Sequence, residues 1–162
     1  MEAALLTAKV SRLILYEPDV PTGVPITPPG VSDRMQALID SGEWEAALEV
    51  AFREIVRMPE HELEAYRQLP MWNVRIQLAP TIPRELDIYR TYRFTTERFA
   101  GLQAPTMLLL GGDSPPYVRQ AIEIVDAALP DSRVVIMPGQ QHIAMDTNPE
   151  LFVREALRFL LA

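Results

Sequence analysis

The last third of the chain limits the possible folds most tightly. Residues 106–110, Thr-Met-Leu-Leu-Leu, form a short apolar run set off by Pro105 on one side and Gly111-Gly112 on the other. Such a run, bounded by turn residues, predicts a buried strand. A helical pattern follows, with Val118, Ile122, Val125 and Leu129 on one face, and Pro130-Asp131 stops it. Residues 133–137 predict another strand. The loop 138–142 leads to Asn148-Pro149, which opens a closing helix carrying Leu151, Phe152, Ala156, Phe159 and Leu160. Strand, helix, strand, helix at this spacing makes a right-handed parallel unit. A further strand is expected over residues 10–16, which are apolar with β-branched members. Before it, residues 2–8 read as the tail of a helix with no capping signal in front.

Between these parts the pattern changes. Residues 18–31 hold five prolines and two glycines, which predicts an irregular crossing loop. From about residue 32 to residue 99 short amphipathic helices are expected. Ser32-Asp33 can cap the first, with Met35, Leu38 and Ile39 inward. A strong second helix spans residues 43–58, with Trp44, Leu48, Ala51, Phe52, Ile55 and Val56 on one face. Pro59, Pro70 and Pro83 open three more.

Composition removes several function classes. The chain has 162 residues, with 15 Lys+Arg against 22 Asp+Glu and a net charge of −7. Such a surface repels phosphate, so neither nucleic acid nor an anionic membrane is an expected partner. There is no cysteine and there are two histidines. That removes disulfides and Cys nucleophiles, and argues against a His-based metal cluster. The apolar runs are far too short to span a bilayer. No glycine loop cradles a phosphate, so no cofactor is expected. A cytoplasmic location fits these features.

In an open parallel sheet, reactive groups gather at the carboxyl ends of the strands. Three such ends are expected here. The first presents Tyr16, Glu17 and Asp19, the second Asp113 and Ser114, and the third leads to His142. An acid after one strand and a histidine after another can meet above the sheet. A nucleophilic triad needs that pairing, because the carboxylate orients the imidazole and stabilises its charged form. Each residue also has a plain structural role open to it. Asp113 and Ser114 precede Pro115-Pro116, where a helix cap is preferred. Glu17 can be a strand-end hydrogen-bond acceptor, and His142 a hydrogen-bonded loop histidine. Trp44, Phe52, Trp72 and Tyr89 either line an apolar substrate pocket or pack between helices.

The ordered set of segments resembles the C-terminal part of the α/β-hydrolase fold. Residues 10–18, Val-Ser-Arg-Leu-Ile-Leu-Tyr-Glu-Pro, are similar to the strand that follows that family's nucleophile helix. Residues 104–111, Ala-Pro-Thr-Met-Leu-Leu-Leu-Gly, are close to its Pro-Thr-Leu-Leu-Leu-x-Gly strand with an acid just beyond. Residues 129–142 follow its pattern into the histidine loop, and residues 148–160 look like its closing helix. The resemblance implies an α/β class: a partial α/β-hydrolase core of about three parallel strands with flanking helices (1–31 and 100–162). Residues 32–99 would be a helical lid inserted into it.

Carried over, His142 is the catalytic base and Asp113 the acid that orients it. The turn Gly111-Gly112-Asp113-Ser114-Pro115 is one residue tighter than the family's Gly-x-x-Asp-Pro, and Gln141 stands where the family has Gly. Glu17 and Asp19 are therefore the alternative acids. The family's Gly-x-Ser-x-Gly elbow is absent. The five serines, Ser11, Ser32, Ser41, Ser114 and Ser132, all lie outside such a context. The expectation is a truncated or separately encoded hydrolase part that supplies acid and histidine but no nucleophile, and is inactive alone. Its substrate would be a small apolar ester, lactone or amide. The alternative is a catalytically inactive remnant, or a module binding a ligand or partner. An open edge on the strand at residues 10–16 predicts a homo-oligomer, a complementing chain that carries the nucleophile, or poor solubility.

Overall fold

The computed structural model describes residues 1–21 and 27–162, with the side chains of Tyr89 and Arg90 outside the description. Part of the expected crossing loop, residues 22–26, therefore lies outside the described residues. In chain order the elements are helix α1 (Glu2–Leu5), strand β1 (Leu13–Tyr16) and helices α2 (Val31–Asp40) and α3 (Trp44–Val50). A π-helical stretch, Ala51–Val56, comes next. Then follow α4 (Glu60–Arg67), α5 (Met71–Leu78), a 3₁₀ turn (Ala79–Thr81), α6 (Ile82–Thr91), α7 (Thr96–Phe99) and strand β2 (Thr106–Gly111). The chain ends with α8 (Pro116–Ala128), strand β3 (Ser132–Met137), α9 (Ala144–Thr147) and α10 (Pro149–Leu160). Two compact units result, one of Met1–Thr22 with Arg93–Ala162 and one of Gly23–Tyr92.

The first unit is built on a three-stranded parallel sheet in the order β1-β2-β3. Leu13 pairs with Thr106 and Tyr16 with Leu109 across β1 and β2, while Thr106 pairs with Ser132 and Gly111 with Met137 across β2 and β3. Every residue of β2 is buried, because this central strand is flanked by β1 and β3 and covered on both faces. On one face Leu108 and Leu110 pack with Ile122 and Val125 of α8 and with Phe99 and Leu102. On the other, Met107, Leu109 and Met137 pack with Ala144 and with Phe159 of α10. Period-2 alternation along β2 thus splits one apolar run between two cores.

The second unit is helical. Val31 and Met35 of α2 pack with Ala51 and Ile55. Phe52, Tyr66 and Trp72 form a mutual ring cluster with centroids 5.3 to 6.0 Å apart. The single helix expected over residues 43–58 changes to π winding at Ala51 and stops at Arg57, which adopts a left-handed φ of 59°. Periodicity gives no warning of such a change, since the inward positions differ little between windings.

Three local expectations are corrected. The helix over residues 2–8 extends only from Glu2 to Leu5. Helix α2 starts one residue earlier than Ser32, with Gly30 at its N-cap in the left-handed region (φ 77°) and no side-chain cap. The stretch 93–99, expected in the helical insertion, packs instead on the sheet unit. Phe94 and Phe99 stack with centroids 5.2 Å apart, and Phe99 is fully buried in the sheet's core.

Candidate active site

The site forms where the three strands end. β1 ends at Tyr16, and the next residue, Glu17, has a left-handed φ of 42°. That conformation is costly for a residue with a Cβ, by roughly 1–3 kcal/mol, and such outliers concentrate at functional sites. It folds the Glu17 side chain back over the end of β2 in place of the alternating strand direction. The Glu17 amide still donates to the Leu109 carbonyl at 3.0 Å, so the turn begins only after the last sheet bond.

Glu17 is buried, with 4% of its surface exposed, yet both carboxyl oxygens are engaged. Oε1 accepts from the Gly111 amide at 2.8 Å and from the Ser114 hydroxyl at 2.5 Å. Oε2 lies 2.9 Å from His142 Nδ1. Three donors around two oxygens satisfy an ionised carboxylate, which only accepts. With Glu17 ionised, the tautomer that fits this contact carries its proton on Nδ1 and leaves Nε2 with a lone pair. The imidazole is half exposed while the carboxyl is 1% exposed, so one end of the pair is anchored and the other meets solvent.

The turn after β2 is shaped for this contact. A Cβ on Gly111 would lie 2.4 Å from the Gln140 carbonyl oxygen, 2.6 Å from Ser114 Oγ and 2.8 Å from Gln141 Cα. Only glycine lets the turn and the histidine loop approach so closely. Gly112 N donates to Met137 O at 2.8 Å and Asp113 N to Gln140 O at 3.0 Å, which ties the two strand ends together.

Tyr16 completes the frame. Its hydroxyl donates to the Gln141 carbonyl and accepts from the Ala144 amide at 3.0 Å. Its ring stacks on the His142 imidazole at 6.0 Å between centroids and meets Phe152 edge-on at 5.4 Å. Burial, chiefly, pushes the Tyr16 phenol above its ordinary range, and the nearby Glu17 and Asp146 add to this while the Ala144 amide opposes it.

His142 thus meets an acid, and that acid is Glu17. Asp113, the first expectation for this place, has an exposed side chain, and only its amide engages the histidine loop. The physical reason is the tight turn, which directs Ser114 and the Gly111 amide inward. Asp19, the other alternative, is exposed. Ser114 does not cap α8 either: the N-cap is Pro115, with no side-chain bond. Trp72 and Phe52 are buried within the helical unit's own ring cluster, and the Trp72 indole donates to Glu45 at 2.8 Å. Trp44 is half-buried and donates to the Ile39 carbonyl at 3.3 Å. The side chain of Tyr89 lies outside the described residues. Sequence reasoning placed Tyr16 and Ser114 at strand ends but assigned neither Tyr16 to the histidine loop nor Ser114 to the acid. The Tyr-Glu-Pro at the strand end and the shortened turn were the only available signals. Among the described residues no cluster of His, Asp and Glu is arranged to hold a metal ion.

No family model and no curated protein matches the sequence. Solved structures do. An α/β hydrolase from Sphaerobacter thermophilus DSM 20745 is 27% identical, with a TM-score of 0.78, over 98% of this chain and 62% of that one. This chain is a partial α/β-hydrolase fold. Two more distant structures share that fold. MGS-M2, an α/β hydrolase enzyme from a Medee basin deep-sea metagenome library, is 16% identical with a TM-score of 0.65, over 99% of this chain and 61% of that one. VinJ is 16% identical with a TM-score of 0.57, over 98% and 60%. The chain therefore spans about three fifths of the length of each of these three structures. In hydrolase terms, β1, β2 and β3 are neighbouring parallel strands whose carboxyl ends carry Glu17, the Gly111–Ser114 turn and the His142 loop. Among the described residues no helix is long and apolar enough to cross a membrane.

Proposed function

We propose that this chain supplies the acid and base of an α/β-hydrolase relay, with Glu17 as the acid and His142 as the base. The observation that carries this is the buried Glu17 carboxyl held by two protein donors and aimed at His142 Nδ1. In such a relay Nε2 takes the proton from an attacking hydroxyl as that oxygen bonds to the substrate carbonyl. The imidazolium, stabilised by Glu17, then returns the proton to the leaving group. The bond cleaved is an ester, lactone or amide of a small, largely apolar molecule. The helical unit acts as a lid that excludes water and selects the substrate.

No Gly-x-Ser-x-Gly occurs in these 162 residues, so the attacking hydroxyl belongs to another segment or to a complementing chain. That same absence favours a second reading, a module that binds an apolar ligand or a partner without turnover. Hydrolysis of a short-chain nitrophenyl ester separates the two. The 162 residues alone are expected to be inactive. Addition of the polypeptide that carries the elbow is expected to give turnover, which His142→Ala abolishes. Turnover by the isolated chain that depends on His142 would overturn the external nucleophile. Turnover of the assembled protein that survives His142→Ala would overturn the relay. If no elbow-bearing polypeptide assembles with the chain, the binding module stands.

A further inference from the structure

We infer that Tyr16 is a positioning residue for His142, acting on the two ends of the loop that carries the imidazole. This rests on the relay reading above, since it concerns how the base is held. Residues 141 and 144 bracket His142 in the chain. The Tyr16 hydroxyl bonds to both, donating to the carbonyl of Gln141 and accepting from the amide of Ala144. One hydroxyl therefore spans the loop on either side of the histidine. The same ring stacks on the imidazole itself. Phe152, from α10, meets the same ring edge-on.

The arrangement is economical in sequence. Tyr16 holds the backbone around His142, and its neighbour Glu17 holds Nδ1 of the same ring. Two consecutive strand residues normally point to opposite faces. They converge here because the left-handed backbone at Glu17 turns its side chain off the strand's alternation. The phenol suits this task. It stays protonated well beyond neutral pH, because burial and the adjacent carboxylates oppose its ionisation, so it keeps both its donor and its acceptor roles. The histidine itself is half exposed and has little packing to hold it. Without the hydroxyl, its orientation would depend on the contact with Glu17 and on ring stacking alone. A misplacement of about 1 Å in a reacting group costs roughly a hundredfold in rate.

The test compares the wild-type chain with Tyr16→Phe and Phe152→Leu by NMR of protein labelled with ¹⁵N-histidine. The wild type is expected to show a slowly exchanging His142 Nδ1 proton. Tyr16→Phe, with the fold retained by circular dichroism, is expected to lose that signal to exchange and to raise Ala144 amide exchange at least tenfold. Phe152→Leu loosens packing on the same ring but keeps the hydroxyl, and is expected to retain the signal. In the hydrolase assembled with its nucleophile, Tyr16→Phe is expected to lower kcat with KM unchanged. Absence of the Nδ1 signal in the wild type overturns the Glu17–His142 relay and this inference with it. A signal present in the wild type and unchanged in Tyr16→Phe overturns only this inference, as does equal loss in Phe152→Leu. Should Tyr16→Phe fail to fold, the wild-type Ala144 amide decides. Protection supports the hydroxyl contact, and exchange at the rate of an open loop overturns it.

Discussion

Replacing Glu17 by glutamine asks directly which acid holds the histidine. The side chain keeps its length, so the amide oxygen can still accept from Gly111 N and Ser114 Oγ, which lie 2.8 and 2.5 Å from Oε1. The other terminal atom becomes an amino group, 2.9 Å from where His142 Nδ1 sits. An NH₂ only donates, so Nδ1 must turn into an acceptor and the ring proton moves to Nε2. The base then has no lone pair facing the substrate. Stability suffers less. A hydrogen bond to a charged acceptor contributes roughly 1.5–3 kcal/mol and a neutral one about 0.5–1.5 kcal/mol. Two bonds weakened by about 1 kcal/mol each are partly offset, because a charge no longer has to be buried. A net loss of about 1–2 kcal/mol leaves the chain folded. In the assembled hydrolase the wrong tautomer is expected to lower kcat on the order of 10⁴-fold, as in other triads whose carboxylate becomes an amide. The assay is the ¹⁵N-imidazole pattern of His142, which separates the two tautomers without requiring turnover. Asp113→Asn serves as the control and is expected to leave the Nδ1-protonated form intact, because the Asp113 side chain is exposed. The opposite outcome, a tautomer switched by Asp113→Asn and untouched by Glu17→Gln, would refute the assignment.

Three other outcomes follow from the same geometry. Gly111→Ala forces a Cβ to within 2.4 Å of the Gln140 carbonyl oxygen, so the backbone before His142 must move. A loss of about 1–3 kcal/mol in denaturant unfolding is expected, together with loss of the His142 Nδ1 signal. Ser114→Ala removes one of the two protein donors on Glu17 Oε1 and is expected to cost roughly 1.5–3 kcal/mol by the same measurement, with Ser114→Thr recovering part of it. The third outcome concerns alkaline pH. The Tyr16 phenol is held above its unfolded value of about 10, so the unfolded chain releases this proton first as pH rises. Its contribution is complete below about pH 10 and is lost above it, so the urea midpoint should fall more steeply there in the wild type than in Tyr16→Phe.

The parallel sheet was legible because it depends on composition over short runs. Residues 106–110 carry no charge, and the structure buries every position of β2 on two faces. Asn148-Pro149 was legible as a helix start, and the structure adds the cap: the Asn148 side-chain oxygen accepts from the Leu151 amide at 3.2 Å, where Pro149 opens α10. The extent of the helical insertion was harder to read. Phe94 and Phe99 have the same spacing whether they face a helix or a sheet, so only the coordinates show which core takes them. The aromatic residues posed the same ambiguity. Phe52 and Trp72 fit a pocket wall or a packed cluster equally well by spacing, and the structure places them against Tyr66.

The choice of acid shows why a site is less legible than its scaffold. Both Glu17 and Asp113 follow strands of the sheet, and both carry a carboxyl at a strand's carboxyl end. What separates them is the path of a few backbone atoms. At Glu17 a single left-handed residue turns the side chain inward. At Gly111 the lack of a Cβ allows the turn to sit against residues 140 and 141, which presents an amide and the Ser114 hydroxyl to Glu17 and leaves Asp113 outside. The shortened turn was visible in the residues as a departure from Gly-x-x-Asp-Pro, but its consequence depends on where the histidine loop lies. A carboxylate with two neutral donors on one oxygen has its second oxygen free for the imidazole, and this is the oxygen His142 meets. The turn that excludes Asp113 is therefore also what equips Glu17 to serve in its place.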